Sequence, residues 1–371
     1  MRIAFVYDIP YPWHKGGIEH ILDIESRELA KKHDVHFFTM RWPGMKSEFV
    51  HQNVSYHAFG SITEEGAYKH GRRAIREAIM FSMYVNELYK YDFDVVITNA
   101  FPVLHLPVIK SYCRLKNAKL ILKVDEVWDR DYWRSYLGPI VGDSANFYAN
   151  LMIRSSAALY VANSATTADR LRKLGIGKGR ISVFAPVLDD SGMKSIRKSA
   201  GRRRNRIIFS GRLIKEKRVD KWLGIVGLVL GRNRNAEALL VGEGIERQRL
   251  LRKMDELGLK GKVTVKPFFK DKKDLYTAIA RSKVLLHMGE REGLSIITLE
   301  SLALGTPVVL PDYSPIPKEV RDMCIVEKEK DIPSRILRIM SRESTPVRNS
   351  GNLEMFSTSN VIPFYDRMFR S

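Results

Sequence analysis

Short apolar runs rich in β-branched residues recur along the chain, separated by longer stretches of polar and amphipathic character. This alternation predicts strands and helices of a doubly wound parallel sheet. The pattern occurs twice. The predicted strands are Ile3–Tyr7, Val35–Thr39, Val95–Thr98, Leu120–Val124 and Ala158–Val161, and then Ile207–Ser210, Ala238–Val241, Val263–Val265, Val284–His287 and Val308–Leu310. We therefore expect an α/β protein with two Rossmann-like domains.

The domain bounds follow from a break in this pattern. Residues 189–205 are basic and lack apolar periodicity, which is typical of a linker. We expect one domain over 1–188 and a second over 206–355. Ligands of parallel α/β sheets bind beyond the carboxyl ends of the strands, so two such edges facing each other would form a cleft.

Length and composition limit the class of protein. At 371 residues with 44% hydrophobic residues, the chain is long enough for about two domains and apolar enough to fill their cores. Its start turns polar too soon for a signal peptide, and no apolar run approaches the roughly 20 residues that span a bilayer. Cys113 and Cys324 lie far apart, which favours reduced core thiols in a cytoplasmic protein.

The formal net charge of +20 is unusual for a cytoplasmic enzyme. It attracts anionic surfaces such as nucleic acid, lipid head groups or a phosphorylated acceptor. Basic residues concentrate over 194–206 and over 69–76, the second cluster at the start of a predicted amphipathic helix near 66–90. That helix either contacts the inner face of the cell membrane or is an ordinary core-facing helix with a solvated basic face. No recognisable RNA or DNA module accompanies the clusters, which disfavours a nucleic-acid partner.

The most informative pattern runs from Glu292 to Val309. The loop Glu292–Ser295 precedes an apolar segment that carries Glu300, and Gly305 then ends this segment before a β-branched strand. Helix N-termini favour anions, so a loop acid followed by such a helix suits a phosphate-bearing, hydroxyl-rich ligand. An amphipathic helix with solvated glutamates is the alternative.

A second pattern combines glycine with two cations. Gly211 and Arg212 follow a predicted strand, and Lys217 comes five residues after Arg212 at an expected helix start. Glycine lets the backbone approach a ligand, arginine offers a planar fork to phosphate oxygens, and lysine adds a point charge. Together they would neutralise a diphosphate. A basic turn in a basic protein is the alternative.

Two further glycine pairs follow predicted strands. Gly16 and Gly17 open a helix after the first strand, where backbone N–H groups can face a phosphate or the glycines can simply serve as a hinge. Gly242 and Gly244 lack the third glycine of a dinucleotide fingerprint, which argues against NAD. No histidine has metal-ligand spacing, and we predict no metal site.

Taken in order, these motifs resemble the retaining glycosyltransferases of the glycogen-synthase type, the glycosyl transferases group 1. The resemblance rests on Ser-Gly-Arg-Leu-x-x-x-Lys from residue 210, Leu-Val-Gly-Glu-Gly from residue 240 and Glu-x7-Glu from residue 292, followed by Leu-Gly-Thr-Pro-Val-Val. Weaker matches at 16–19, 161–171 and 356–369 extend it over most of the chain. It implies the two-domain GT-B fold and a closing helix over 356–371 that crosses back onto the first domain.

The resemblance also implies a function. It implies a metal-independent transfer of a sugar from a nucleotide diphosphate sugar to a hydroxyl of a glycan or lipid-linked acceptor, without a further cofactor. Arg212 and Lys217 would stabilise the diphosphate leaving group. Glu292 would hold sugar hydroxyls and Glu300 ribose hydroxyls. The remaining donor-binding residues would be Gly16, Gly17, Gly211, Gly242, Gly293, Leu294 and Ser295.

Asp125 marks the main departure from the family pattern. Family members usually carry a His-Asp pair after this strand, with the histidine facing the donor sugar, and Asp125 takes the histidine position here. Asp125 would bind acceptor hydroxyls or act as a base. The aromatic residues that follow suit either a sugar site or a core. The family's Gly-Phe-Gly is Gly293-Leu294-Ser295 in this chain, which predicts an atypical donor pocket.

Two other functions stay open at this point. A non-hydrolysing nucleotide-sugar epimerase shares the GT-B fold and would convert the donor without an acceptor. A catalytically silent protein would bind the nucleotide sugar without turnover, and the changes at Asp125 and Gly293–Ser295 are compatible with it.

Overall fold

The computed structural model describes residues 1–13, 16–62, 75–156, 158–342, 345–347 and 350–370. The chain forms two compact units, Met1–Val187 with Thr358–Ser371, and Leu188–Ser357. Within the described residues, Cys113 and Cys324 are buried free thiols. No helix in this described part is long and apolar enough to cross a membrane.

The strands alternate with helices along most of the chain. The strands are β1 Arg2–Val6, β2 Asp34–Met40, β3 Glu48–His51, β4 Val54–Phe59, β5 Val95–Asn99, β6 Lys119–Val124, β7 Leu159–Ala162, β8 Ile181–Val183, β9 Arg204–Ser210, β10 Glu237–Val241, β11 Val263–Lys266, β12 Ser282–Leu286, β13 Val308–Pro311 and β14 Ile325–Glu327.

The helices connect these strands. They are α1 Gly17–Leu29, α2 Ile75–Tyr84, α3 Leu106–Lys116, α4 Arg130–Leu137, α5 Pro139–Arg154, α6 Ala165–Lys173, α7 Asp190–Ser199, α8 Val219–Arg232, α9 Arg247–Glu256, α10 Lys272–Ala280, α11 Ile296–Ala303, α12 Lys318–Arg321, α13 Ile332–Met340 and α14 Val361–Arg370. The helix predicted near 66–90 is α2 followed by a 3₁₀ helix, Val85–Lys90. Lys69, Arg72 and Arg73 of its basic cluster lie outside the described residues.

The first unit is built on an eight-stranded sheet with the order β3-β4-β2-β1-β5-β6-β7-β8. All neighbouring strands are parallel except β3 and β4, which form an antiparallel pair. Because crossovers between parallel strands are right-handed in almost all proteins, the strand order assigns α2, α3 and α5 to one face of this sheet and α1 to the other. The sheet is covered on both sides at its centre, and all five residues of β5 are accordingly buried.

A buried polar cluster fastens the C-terminal helix α14 to the first unit. The Nζ of Lys123, on β6, donates to both carboxylate oxygens of Glu25 on α1, at 2.6 and 2.7 Å. Tyr365 of α14 donates its hydroxyl to the same carboxylate at 2.8 Å. Burial and the Glu25 charge raise the pKa of Tyr365 well above its usual range. This cluster joins a strand and two helices that are far apart in sequence.

The second unit is a six-stranded parallel sheet with the order β11-β10-β9-β12-β13-β14. Its core contains the fully buried Trp222 of α8 together with strand residues such as Leu240 and Val284. Strand β9 lies at the centre, between β10 and β12. The loop after β9 therefore lies where ligands of parallel sheets usually bind.

The stretch 189–205, predicted as a linker without apolar periodicity, instead contains helix α7. Its helical character was missed because only Met193, Ile196 and Ala200 carry the apolar spacing, three and four residues apart. The Asp189 side chain accepts the Gly192 N–H at 3.2 Å and caps the helix. Helix α7 packs on α10 and α11, so it belongs to the second unit.

Candidate active site

The loops after β9 and β10 lie against each other at the carboxyl edge of the second unit's sheet. Leu213 donates its N–H to the Glu243 carbonyl at 2.7 Å. A Cβ at Gly242 would lie 2.0 Å from the Gly211 carbonyl oxygen, and one at Gly244 would lie 2.4 Å from that of Leu213. Larger residues would push the two loops apart, so packing alone requires both glycines.

Gly211 and Arg212 begin the loop that leads from β9 to α8. A Cβ on Gly211 would meet only the Phe209 ring, at 3.4 Å, which is an ordinary contact. The requirement for glycine here is therefore weaker than at Gly242. Arg212 is exposed. It comes two residues after the central strand β9, at the edge of the sheet where ligands of parallel sheets usually bind.

Lys217 and His287 converge on one carboxylate oxygen of Glu292. The Lys217 Nζ forms a short ion pair with Glu292 Oε1, and His287 Nε2 lies 2.9 Å from the same oxygen. His287 follows β12 and is 3% exposed, and the Glu292 side chain is 8% exposed. Lys217, from the loop after β9, thus meets His287 and Glu292, which lie five residues apart after β12.

The charge of Glu292 depends on its two partners, Lys217 and His287. Burial alone would raise its pKa, but the Lys217 charge and the His287 contact outweigh burial and lower the pKa to about 2. A Cβ at Gly289 would lie 2.8 Å from Glu292 Oε1 and from His287 Cε1. The glycine therefore leaves room for the acid and the imidazole to meet.

The cations next to Lys217 are held by other acids. Arg218, in a left-handed conformation with φ of 49°, pairs with Glu290 and with Asp220. Lys221 pairs with Glu329 at 2.9 Å. Arg218 and Lys221 thus pair with acids other than Glu292.

The segment from Gly293 to Ser295 connects Glu292 to α11. Leu294 is 5% exposed and anchors the segment in the core. Ser295 has a φ of 63°, and its hydroxyl lies 2.9 Å from the Thr298 hydroxyl instead of capping a backbone N–H. The Ser295 side chain therefore does not cap the first N–H groups of α11.

Glu300 lies on the second turn of α11 and is almost fully buried. The Lys272 Nζ is 2.7 Å from its Oε1, and the Tyr276 hydroxyl donates to the same oxygen at 3.1 Å. Lys272 and Tyr276 are four residues apart on α10, so they face the same side of that helix. Glu300 is thus a second buried acid in this unit with a cationic partner.

In the first unit, Gly16 is the N-cap of α1 and Gly17 is its first residue. A Cβ on Gly16 would lie 1.9 Å from Glu19 Oε2, so the glycine leaves space for that carboxylate. Glu19 is 3% exposed. The start of α1 is therefore occupied by an acidic side chain of its own first turn.

Asp125 follows β6 in the same unit and is partly exposed. Asn99 donates its amide to Asp125 Oδ2 at 2.6 Å. Burial raises the pKa of Asp125 to about 6, the Glu25 and Glu19 charges add to this, and the Lys123 charge opposes it. Because Lys123 is bound to Glu25, Asp125 has no comparable ion pair among the described residues.

Aromatic rings lie beside Asp125. Phe101 and Trp128 have centroids 4.2 Å apart, and Tyr132 meets Trp128 edge-on at 4.5 Å. Trp133 is buried, whereas Trp128 and Tyr132 are half-buried. The aromatic residues after Asp125 thus divide between a core position and a surface beside the acid.

Sequence reasoning missed several residues of these clusters, namely His287, Lys272, Tyr276 and Asn99. His287 and Asn99 stand at the carboxyl ends of buried strands, where a polar residue indicates a site. Lys272 and Tyr276 carried no such signal, because only the packing of α10 brings them to Glu300.

The residues proposed from sequence thus divide between the two units. Lys217 and Glu292 are in direct contact, and the loops of Gly211 and Gly242 touch. Gly16, Gly17 and Asp125 belong to the first unit. Among the described residues, no group of three or more His, Cys, Asp or Glu side chains is arranged to hold a metal ion.

Two family models match consecutive parts of this chain. Residues 15–191 match Glycosyltransferase Family 4, and residues 193–349 match Glycosyl transferases group 1. The chain belongs to the group 1 glycosyltransferases. The family favours neither the epimerase nor the silent binding protein.

Known proteins similar to the chain include a GDP-mannose-dependent alpha-mannosyltransferase of Mycobacterium tuberculosis (strain CDC 1551 / Oshkosh). The two are 35% identical over 104 residues, which is 28% of this chain and 24% of the mannosyltransferase. The match thus spans about a quarter of that relative's length.

Solved structures resemble the whole chain. Sucrose-phosphate synthase from Thermosynechococcus elongatus has a TM-score of 0.78 at 15% identity and covers 100% of this chain and 98% of its own. Anabaena HepE in complex with UDP-glucose has a TM-score of 0.69 at 13% identity, covering 100% and 99%. These likenesses establish the GT-B class of the fold, with two parallel-sheet α/β domains.

Proposed function

We propose that this protein is a retaining, metal-independent glycosyltransferase that moves a sugar from a nucleotide diphosphate sugar to an acceptor hydroxyl. The observation that carries the proposal is the cluster of Lys217, His287 and Glu292 beside the glycine loops of the second unit. Membership of the group 1 glycosyltransferases supports the reaction class.

Each side chain of the cluster has a role in this proposal. Lys217 and Arg212 neutralise the diphosphate as it leaves with additional negative charge, which takes the place of a metal ion. Glu292, ionised because of Lys217 and His287, accepts hydrogen bonds from sugar hydroxyls. Glu300 accepts those of the ribose, and Lys272 and Tyr276 hold its carboxylate in place.

Gly211, Gly242, Gly293, Leu294 and Ser295 complete the donor side of the second unit in this proposal. The loops of Gly211 and Gly242 let backbone approach the diphosphate, and the N–H groups at the start of α11 favour its charge. Gly16 and Gly17 of the first unit are assigned to the donor diphosphate by their match to the family motif alone, because the Glu19 carboxylate lies at the start of α1. These assignments follow the positions that match the family motifs.

Retention follows from attack on the face that the leaving group occupies. The acceptor oxygen forms a bond to the anomeric carbon as the bond from that carbon to the diphosphate oxygen breaks. The acceptor proton passes to the departing phosphate oxygen, so no protein nucleophile is needed. Asp125 binds the acceptor hydroxyl, and its ionised form strengthens that contact.

The proposed acceptor is a lipid-linked or phosphate-bearing glycan. The net charge of +20 attracts such an anionic acceptor and would hold the protein at the inner face of the cell membrane. The half-buried rings beside Asp125 offer apolar surface to an acceptor sugar.

The test is a panel of UDP-, GDP-, ADP- and dTDP-sugars incubated with the protein without added metal. GDP-mannose and UDP-glucose enter first, because they are named for a relative and a structural neighbour. Slow release of sugar from one donor, with the α or β form assigned by NMR, would identify the donor and the stereochemistry. Release should disappear in Glu292→Ala. Absence of both binding and release for every donor would contradict the proposal.

A further inference from the structure

Helix α5 carries an apolar row on its solvent side. Ile140, Phe147 and Leu151 are 82%, 70% and 45% exposed, and they recur at helical spacing along 16 residues. The buried side of the same helix is formed by the small residues Gly142 and Ala149 together with Ile153. The largest apolar side chains of the stripe therefore face away from the core, which is the reverse of an ordinary surface helix.

Helix α2 repeats this arrangement on the same face of the sheet. Ile75, Ile79 and Met83, each four residues apart, are 51%, 49% and 66% exposed. Glu77 and Phe81 of α2 are buried instead. Helix α3 belongs to the same layer, and its Lys110 donates to Ser155, which follows α5, at 2.7 Å. We call the exposed apolar residues of α2 and α5 the outer apolar surface: Ile75, Ile79, Met83, Ile140, Phe147 and Leu151.

Each of the three helices α2, α3 and α5 carries an exposed arginine. Arg76 of α2, Arg114 of α3 and Arg154 of α5 are exposed. Helix α3 contains no carboxylate, and Glu77 of α2 is buried. Apolar side chains flanked by cations match the interface of a bilayer with anionic head groups.

The single carboxylate of α5, Asp143, is paired with two arginines. Asp143 accepts paired hydrogen bonds from Arg130 and from Arg134, all four at 2.7 to 2.8 Å. These two guanidinium groups hold the pKa of Asp143 well below its usual range. Asp129 and Asp131 add two carboxylates to this segment, so the cationic character of the outer apolar surface rests on Arg76, Arg114 and Arg154.

We propose that the outer apolar surface is a docking site for an anionic lipid bilayer. The apolar side chains of α5 and α2 enter the interface, while Arg76, Arg114 and Arg154 remain at head-group level, where long basic side chains extend towards phosphate. A second copy of the chain fits this surface less well, because two cationic rims would face each other. The proposal extends the proposed function by naming the surface that brings the enzyme to a lipid-linked acceptor, and its binding test is independent of sugar transfer.

The test is co-sedimentation of the full-length protein with vesicles of phosphatidylcholine alone and of phosphatidylcholine with a quarter phosphatidylglycerol, at low and at physiological salt. The wild-type protein should bind the anionic vesicles, and binding should weaken with salt. Ile140→Ser/Phe147→Ser should reduce the partition coefficient at least about tenfold, because it removes the two most exposed side chains of α5.

A matched control tests whether vesicle binding depends on the outer apolar surface or on exposed apolar side chains in general. Leu228→Ser/Leu257→Ser removes two apolar side chains of the second unit that are 53% and 44% exposed, and it should leave vesicle binding within about twofold of wild type. An unchanged melting temperature and unchanged donor binding would show that both double variants are folded.

Several outcomes would overturn the proposal. These are no binding of the wild-type protein to anionic vesicles, equal binding by the α5 variant, and a wild-type dimer that the α5 variant dissociates without any vesicle binding. Vesicle binding without donor binding would instead contradict the proposed function and leave the docking surface standing. Failure of the two proposals is therefore distinguishable.

Discussion

Two acids at the carboxyl ends of parallel sheets have opposite pKa shifts in this protein. Glu292 in the second unit is buried beside Lys217 and His287, which lower its pKa to about 2. Asp125 in the first unit is held by the neutral amide of Asn99, and burial raises its pKa to about 6. Desolvation acts to raise the pKa of both carboxyl groups, so their partners account for the difference.

The comparison shows that the lysine near each acid has a different partner in the two units. Lys123 is close enough to lower the pKa of Asp125, but it is bound to Glu25 and to Tyr365 in the cluster that holds α14. In the second unit Lys217 pairs with the loop acid itself. Glu292 is therefore ionised at all physiological pH values, whereas Asp125 changes its charge near neutrality.

The largest expected effect concerns the exposed cation of the second unit. Arg212→Ala should reduce kcat/KM for transfer about 10³-fold, since it removes charge stabilisation of the leaving diphosphate. Arg252→Ala, also exposed and on α9 of the same unit, is the control and should be near wild type. Steady-state kinetics with the identified donor gives kcat/KM for both variants. Near-wild-type turnover of Arg212→Ala would remove the phosphate role from this loop.

The second prediction concerns Glu292, the acid of the Lys217–Glu292 pair. Glu292→Gln keeps the shape but removes the charge, leaves Lys217 unpaired and should reduce kcat/KM about 10²-fold. Glu290→Gln is the matched control, because Glu290 is a neighbouring acid that pairs with Arg218. Equal losses in the two variants would mean that the loop needs its charges for structure only.

The third prediction concerns the pH dependence of activity, which should depend on Asp125. If ionised Asp125 binds the acceptor, kcat/KM should rise with pH through about 6, the pKa of the folded protein. Asp125→Asn should abolish that rise and reduce activity about tenfold at pH 8. Asp131→Asn, at an exposed position nearby, should keep the wild-type profile.

The same shift has a defined effect on stability. The pKa of Asp125 is raised in the folded state, so its contribution to the free energy of unfolding is present below the usual value near 3.8 and is lost as pH rises through about 6. Unfolding by urea at pH 4 and pH 7 should show this loss in the wild-type protein and not in Asp125→Asn. The same loss in both proteins would assign it to another group.

The smallest effect is expected at the buried cluster of Glu25, Lys123 and Tyr365. Tyr365→Phe removes one hydrogen bond to Glu25 and should lower the free energy of unfolding by about 1 kcal/mol. Tyr148→Phe is the control, because Tyr148 is a half-buried tyrosine on α5 of the same unit. Urea unfolding measures both. A loss of activity without a loss of stability in Tyr365→Phe would indicate that the cluster acts on Asp125.

Much of the fold was predictable from the sequence, because central strands of a parallel sheet are nearly continuous apolar runs. The ten predicted strands correspond to strands of the structure, whereas β3, β4, β8 and β14 were missed. The edge strand β3 alternates exposed with partly buried residues, β4 alternates buried with partly buried residues, and β8 and β14 have only three residues each. Helix α7 was missed for a similar reason, since its apolar row is short.

The sequence by itself determined that alternating strands and helices occur twice along the chain. It also determined the glycine loops and the order of the candidate residues Arg212, Lys217, Glu292 and Glu300. Those features are local, because a strand, a turn or a helix end is specified by residues within a few positions of one another. Only the tertiary structure decided that Lys217 and His287 share Glu292, that Glu25 takes Lys123 away from Asp125, and that α5 turns its apolar row to solvent. Charge states and exposed surfaces depend on contacts between distant segments, and these form when the sheets and helices pack.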